Sequence, residues 1–351
     1  MLELTGLLQW IYNIVAGISS SLGLPDIIRD IALMVLIIAA ILAFLTVMAL
    51  FLVWWERKVS AHFQDRLGPM VAGWHGWYQT IADAVKLLQK EDIVVASADR
   101  KVHFWAPVII YTVCLMAYAV IPFGKGLIAA DLNIGLLYIL AITSFTVISL
   151  LMAGWGSNNK FALLGGMRSA AQIVSYEVPL TLSVIGVVLM AGTLSMYSLV
   201  EAQGPYFWKW YIWPQLLGFA IYISAATAEL NRTPFDLPEA EQELVAGFNI
   251  EYSGMKFAMF FLAEFLNMFT ISAVATTLFL GGWQPPLPGL DFIPSYIWFL
   301  GKSLFLVFVI MWFKWTYPRL RVDHLMDFAW KVLLPLAFLN IIITALGVHL
   351  F

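Results

Sequence analysis

Between Glu229 and Glu251 the chain gathers six carboxylates, Glu229, Asp236, Glu239, Glu241, Glu243 and Glu251, against one basic residue, Arg232. Carboxylates enclosed together cannot all ionise independently and share protons as a set. On a wetted surface the same groups repel by only a few tenths of a kcal/mol, as Glu239 and Glu243 would at four-residue spacing on one helical face. The stretch is a proton-sharing cluster if enclosed and a solvated acidic loop if open. Two further acids sit inside apolar sequence, Glu177 in SYEVPL and Glu264 in FFLAEFLNMF. An ionised carboxylate midway along a membrane helix costs at least about 2.5–3.5 kcal/mol, so it pairs, meets water or keeps its proton. Proton handling is the better reading for Glu264. For Glu177 and Glu229, near the ends of their apolar runs, snorkelling to the interface stands beside it.

The elements that position these acids follow from composition. The chain is 62% hydrophobic and 12% charged, where a soluble domain carries about 25% charged residues. The expected fold is an all-α integral membrane protein, one polytopic domain over residues 1–351. Apolar runs near 20 residues, the length a helix needs to cross hydrocarbon, occur eight times: 31–55, 103–122, 134–154, 172–192, 213–230, 255–281, 293–315 and 329–349. Residues 1–25 hold a shorter apolar run ended by Gly23 and Pro25, expected to lie in the interface. The first loop, 56–101, is too long for a simple connector. Within it Trp77–Lys90 places Ile81, Val85 and Leu88 on one helical face, the pattern of an amphipathic surface helix. In the acidic loop, 231–254, Pro234 and Pro238 end the fifth span and open a short segment with Glu239 in its first turn. Gly281-Gly282, after the sixth span, is a place for a bend or for water. The loops after spans one, three, five and seven collect the Lys and Arg, leaving only Arg29, Lys125, Lys209 and Lys302 for the other side. That asymmetry puts the acidic loop on the cytoplasmic side, or the equivalent matrix or stromal side.

The redox inventory is bare. Cys114 is the single cysteine, which excludes an internal disulfide and a four-thiolate iron–sulfur cluster. His62, His75 and His324 fall in polar loops, and His103 and His349 at span ends, so no haem-ligating pair lies within the apolar runs. FALLGGMR has glycines but lacks the lysine of a phosphate-binding loop. No metal, cofactor or nucleic acid is expected on this chain alone, and any electrons arrive on a partner.

Four stretches carry a family likeness: ERK, GP and ADAVKLLQKED in the first loop; GWGSNNKFALLGGMRSAAQIVSYEVPL; AELNRTPFDLPEAEQELVAGFNIEYSGMKFAMFFLAEF; and RLRVDHLMDFAWKVLLPLAFLN. In that order, from about Glu56 to Asn340, they resemble the family of the H membrane subunit (subunit 1) of respiratory complex I. The resemblance implies a subunit of proton-translocating NADH:quinone oxidoreductase in a bacterial inner membrane or an organellar one. Such a subunit joins the peripheral arm to the membrane arm, forms much of the chamber for ubiquinone or menaquinone, and starts the proton-coupling pathway. FMN and iron–sulfur clusters are then expected on peripheral partner subunits, and antiporter-like subunits along the membrane arm. Carried over by residue, Glu56, Arg57, Arg66 and Asp83 surround the quinone chamber and its entrance. Glu177, Glu229, Asp236, Glu239, Glu241, Glu243 and Glu264 form the acidic funnel and its loop, and Arg232, in that loop, is counted with the chamber. Leu67 and Met70 depart from the family pattern of two basic residues followed by Gly-Pro-Asn, which leaves the quinone approach at that point open. Rival readings are the equivalent subunit of a membrane-bound hydrogenase or of another donor:quinone oxidoreductase, a self-sufficient ion transporter, and a passive anchor.

Overall fold

The computed structural model describes residues 26–238, 241–290 and 292–350; the segment 1–25 and Glu239 lie outside the described residues. The first helix, α1, runs without interruption over Asp26–Phe63. Arg57 and Lys58 end the apolar run but not the helix, because Lys and Arg are good helix formers. Glu56 therefore lies inside α1, about two turns before its end. The first loop contains a helix, α2 (Gln79–Gln89), on which Ile81, Val85 and Leu88 are exposed. Next comes α3 (Arg100–Ala117), capped by Asp99, whose carboxylate accepts from the N–H groups of Lys101 and Val102. Ser144 separates α4 (Gly135–Thr143) from α5 (Phe145–Gly156).

Lys160–Ala191 forms α6, a 32-residue helix that starts twelve residues before the apolar run expected at 172. Lys160, Arg168 and Gln172 lower the hydropathy of that opening without opposing helix geometry. Asn159 caps the start through the Phe161 N–H, and Gly192, in left-handed conformation, closes the end. Such a glycine is the usual helix terminator. The order continues with α7 (Met196–Gln203), α8 (Leu216–Glu229), the short α9 (Glu241–Leu244), α10 (Gly254–Phe279) and α11 (Ser295–Thr316). Finally α12 (Val322–Asp327) passes through a π-helical stretch, Phe328–Leu333, into α13 (Leu334–Leu350).

Among the described residues the structure is helical, with no strand beyond one isolated bridge between Gly124 and Leu127. Six helical segments are long and apolar enough to cross a membrane: Asp30–Phe63, Gly135–Gly156, Lys160–Ala191, Gly254–Phe279, Ser295–Thr316 and Val322–Leu350. This is a multi-pass membrane protein. The other two expected spans coincide with α3, of 18 residues, and α8, of 14.

The long α6 is the hub, packing on α5, α8 and α13, while α10 packs on α3 and α11. Small residues let backbones approach where lipid supplies no hydrophobic drive. At Gly165 on α6, a Cβ would lie 2.7 Å from the Gly247 Cα. This close approach seats the acidic loop against α6.

Candidate charged chamber and carboxylate cavity

After Glu229 the chain turns sharply. Asn231 takes a left-handed conformation, φ 52°, and its Nδ2 donates to Ser169 Oγ at 3.1 Å. Gln172, one helical turn further along α6, donates from Nε2 to the carbonyls of Ala228 and Phe235 at 2.7 and 2.8 Å. Both ends of the turn are thus pinned to α6, and Arg232 projects from between them.

Arg232 is buried, with its side chain 4% exposed. Its Nη1 donates to both carboxylate oxygens of Glu56 at 2.7 Å, and its Nε lies 2.8 Å from Glu264 Oε1. Lys314, from the last turn of α11, donates to Glu56 Oε1 at 2.6 Å. The guanidinium also stands over the Phe265 ring, 4.8 Å from its centroid. Two acids and two cations from α1, α10, α11 and the turn after α8 therefore meet in one network. Charges buried this deeply persist only when paired and hydrogen-bonded.

Three cavities surround this network. A chamber of about 410 Å³ is lined by Glu56, Arg57, Arg232, Glu264 and Lys314, with Phe257, Phe261 and Trp315 on its walls. An inner cavity of about 60 Å³ is lined by Glu229, Glu264, Asn267, Thr146 and Thr270 among apolar side chains. Glu264 and Asn249 face both. A third, more open space of about 630 Å³ lies between Arg57, Ser60, Arg66, Gln79 and the Leu67–Pro69 turn. Arg57 lines it and the chamber, and pairs with Asp83 at 2.5 Å, while Gln79 donates to the other Asp83 oxygen at 3.1 Å. Arg66 is exposed there and donates to Gln64 Oε1.

Of the deeper acids, Glu229 is the last residue of α8 and lies within electrostatic reach of Glu177 on α6. Ser144 Oγ donates to Glu177 from the α4–α5 break. Among the described residues neither acid has a salt-bridge partner. Three of the loop acids have described partners: Asp236 with Arg319 at 2.9 Å, Glu243 with Arg168 at 2.5 Å, and Glu251 with Asn159 Nδ2 at 2.7 Å. Burial nevertheless pushes the Asp236 carboxyl above its ordinary value, against the opposing pull of Arg319 and Lys314. Glu241 opens α9. No group of three or more His, Cys, Asp or Glu side chains is placed to hold a metal among the described residues.

The profile of the NADH dehydrogenase family matches residues 35–345. This chain belongs to that family. Similar chains include the NADH-quinone oxidoreductase H subunit of Carboxydothermus hydrogenoformans, 49% identical over 93% of this chain and 92% of its own length. The H subunit of Brevibacillus brevis is 52% identical over 90% and 91%, and that of Geobacillus kaustophilus 49% over 93% and 96%.

In this NADH dehydrogenase family member the sequence candidates fall into two connected groups. Glu56, Arg232 and Glu264 meet directly, and Arg57 with Asp83 adjoins them; Arg66 stands apart at the open end. Among the described loop acids, Asp236, Glu243 and Glu251 take Arg319, Arg168 and Asn159 as their hydrogen-bonding partners. Sequence reasoning missed Lys314, Arg319, Arg168 and Ser144 as partners and counted the three cations only toward charge asymmetry. Lys314 carried a usable signal, a lone cation between Phe313 and Trp315 at the end of an apolar run.

Proposed function

We propose that this chain is the H-type membrane subunit of a proton-translocating NADH:quinone oxidoreductase. It spans the membrane eight times as one domain, with α2 on the surface, in a bacterial inner membrane. Its partners are peripheral-arm subunits carrying FMN and iron–sulfur clusters, and antiporter-like subunits of the membrane arm. The chamber walled by Glu56, Arg57 and Arg232, with Asp83 and Arg66 toward its mouth, receives the quinone head. Glu264, Glu229 and Glu177, with the loop acids Asp236, Glu239, Glu241 and Glu243, handle the protons. The observation that carries this reading is that Glu264 shares Arg232 with Glu56 while facing both chamber and inner cavity.

The coupling follows from charge. A quinone that gains electrons in the chamber becomes anionic and draws on the nearest cations, Arg232 and Lys314. Glu56 and Glu264 then lose part of their counter-charge, and a carboxylate so deprived takes up a proton. Glu264 can pass it into the inner cavity, where Asn267, Thr146 and Thr270 supply polar contacts toward Glu229 and Glu177. A local charge change thus biases protonation at a distance. The names of the relatives support the electron donor and acceptor, and favour this reading over a membrane-bound hydrogenase.

Glu264→Gln and Glu229→Gln in the assembled, reconstituted complex test it. Glu264→Gln is expected to lower both quinone reduction and proton pumping by roughly tenfold or more, the factor of about 1.4 kcal/mol. Glu229→Gln should lower pumping more than reduction. Wild-type pumping in both variants rejects the assignment.

A further inference from the structure

Lys302 takes no part in the chamber. It lies two turns into α11, at the end of the bundle away from the acidic loop. Its Nζ donates to three carbonyls just past α10, those of Leu280 at 2.7 Å, Gly282 at 3.0 Å and Gln284 at 2.7 Å. The fourth side is covered by Trp210, with Nζ 3.9 Å from its ring centroid. A carbonyl only accepts, so three such bonds require three N–H groups. A neutral amine has two. The arrangement suits an ammonium, with one carbonyl for each of its three donors.

The cradle is built by sequence. Gly281 and Gly282 have φ of 70° and 51°, and a Cβ on Gly281 would fall 2.4 Å from Trp210 Nε1. The expected bend is therefore present, and the indole covers it. Gln203 holds the turn from behind, accepting from the Gly281 N–H and donating to the Thr277 carbonyl. The carbonyls at a helix C-terminus carry partial negative charge and attract cations, so this turn without Lys302 is a mouth for a mobile cation.

What lies beneath that mouth gives the charge a role. Thr270 lines the inner cavity on α10, and Ser272, Thr276, Thr277 and Ser303 continue as buried hydroxyls toward Lys302. Ser303 Oγ donates to Thr276 Oγ1 at 3.3 Å. Buried hydroxyls therefore recur along α10 from the cavity shared by Glu229 and Glu264 toward the far end of the bundle. Those of Thr270, Ser272, Thr276 and Thr277 each donate to a carbonyl of their own helix, a trail of polar groups rather than an open channel. We propose that Lys302 is a tethered cation that seals this trail, keeping protons gathered near Glu264 from crossing the membrane through this subunit. A fixed positive charge at a narrow polar passage repels protons and metal cations. The role rests on the proton-handling reading of the inner cavity, yet it is measurable without turnover.

The test is the resting proton leak of proteoliposomes holding the assembled complex, without NADH, normalised to complex content. Lys302→Met and Lys302→Gln remove the charge, whereas Lys302→Arg keeps it. The neutral variants should leak roughly tenfold faster than wild type, as for a unit charge removed about 10 Å from a path at an effective dielectric of about 20. Lys302→Arg should stay at the wild-type level, and quinone reduction should persist in all three. Should the Met variant fail to assemble, the Gln and Arg pair decides. A resting leak equal to wild type in the neutral variants overturns the proposal. Because no electron donor is present, that outcome is separate from the pumping result of Glu264→Gln.

Discussion

Glu264 and Glu229 line the same cavity of about 60 Å³, yet their surroundings are opposite. Glu264 has the Arg232 guanidinium at 2.8 Å, shared with Glu56. Glu229 has another acid, Glu177, in reach, and the polar partner of Glu177 is a serine hydroxyl. Leaving a buried charge without its partner costs several kcal/mol. On the proposed reading, the first acid senses the chamber through its counter-charge and the second pair carries a proton. The difference teaches that two carboxylates on one cavity can have opposite electrostatic surroundings, set by whether a cation is within reach.

Breaking the paired side should have the largest effect. Arg232→Met leaves Glu56 and Glu264 facing each other without their shared cation, and should cost about 3–5 kcal/mol. The expected outcome is a low yield of assembled complex and a quinone reductase that inactivates at lower temperature; normal heat resistance would show that the two acids do not depend on Arg232. Lys314→Met removes only one of the two cations on Glu56, so it should cost less, about 1.5–3 kcal/mol. Heat inactivation of the assembled complex should rank it between Arg232→Met and wild type.

On the unpaired side the effects shrink. Ser144→Ala deletes the hydroxyl that donates to Glu177 and should cost about 1 kcal/mol, read as faster hydrogen exchange at the α4–α5 break. An effect as large as that of Arg232→Met would erase the contrast. The smallest change belongs to the loop. Arg319→Gln removes a partly exposed partner of Asp236 and should cost under about 1 kcal/mol. Burial already lifts the Asp236 carboxyl above its unfolded value, so the folded loop binds the extra proton and loses stability as pH rises through the folded pKa. Without Arg319 the carboxyl moves further up. Exchange protection over residues 230–238 should then fall below wild type at neutral pH and converge with it below about pH 4, where the unfolded Asp is protonated too.

Legibility in the sequence followed the range of the interactions. Glu264 stood out because a charge inside an apolar run is visible locally, and the helices were visible for the same reason. Their ends were not. Hydropathy falls at Lys160 and at Arg57, but backbone hydrogen bonding does not, so α6 and α1 extend well past the apolar runs. The site's pairings were hidden for a different reason. Lys314 meets Glu56 across 258 residues of sequence, and no local pattern specifies such a contact. The acidic loop looked like mutual repulsion around Arg232 because Arg168 and Arg319 lie on other elements. The family likeness marked Glu56 and Arg232 but gave no sign that they touch.

The most direct measurement is the infrared difference spectrum of the reconstituted complex on quinone reduction, taken in the protonated-carboxyl region. If the Arg232 network couples chamber to cavity, wild type shows a carboxyl gaining a proton, and Glu264→Gln abolishes that band while the quinone bands remain. The same carboxyl band in wild type and Glu264→Gln would contradict the account.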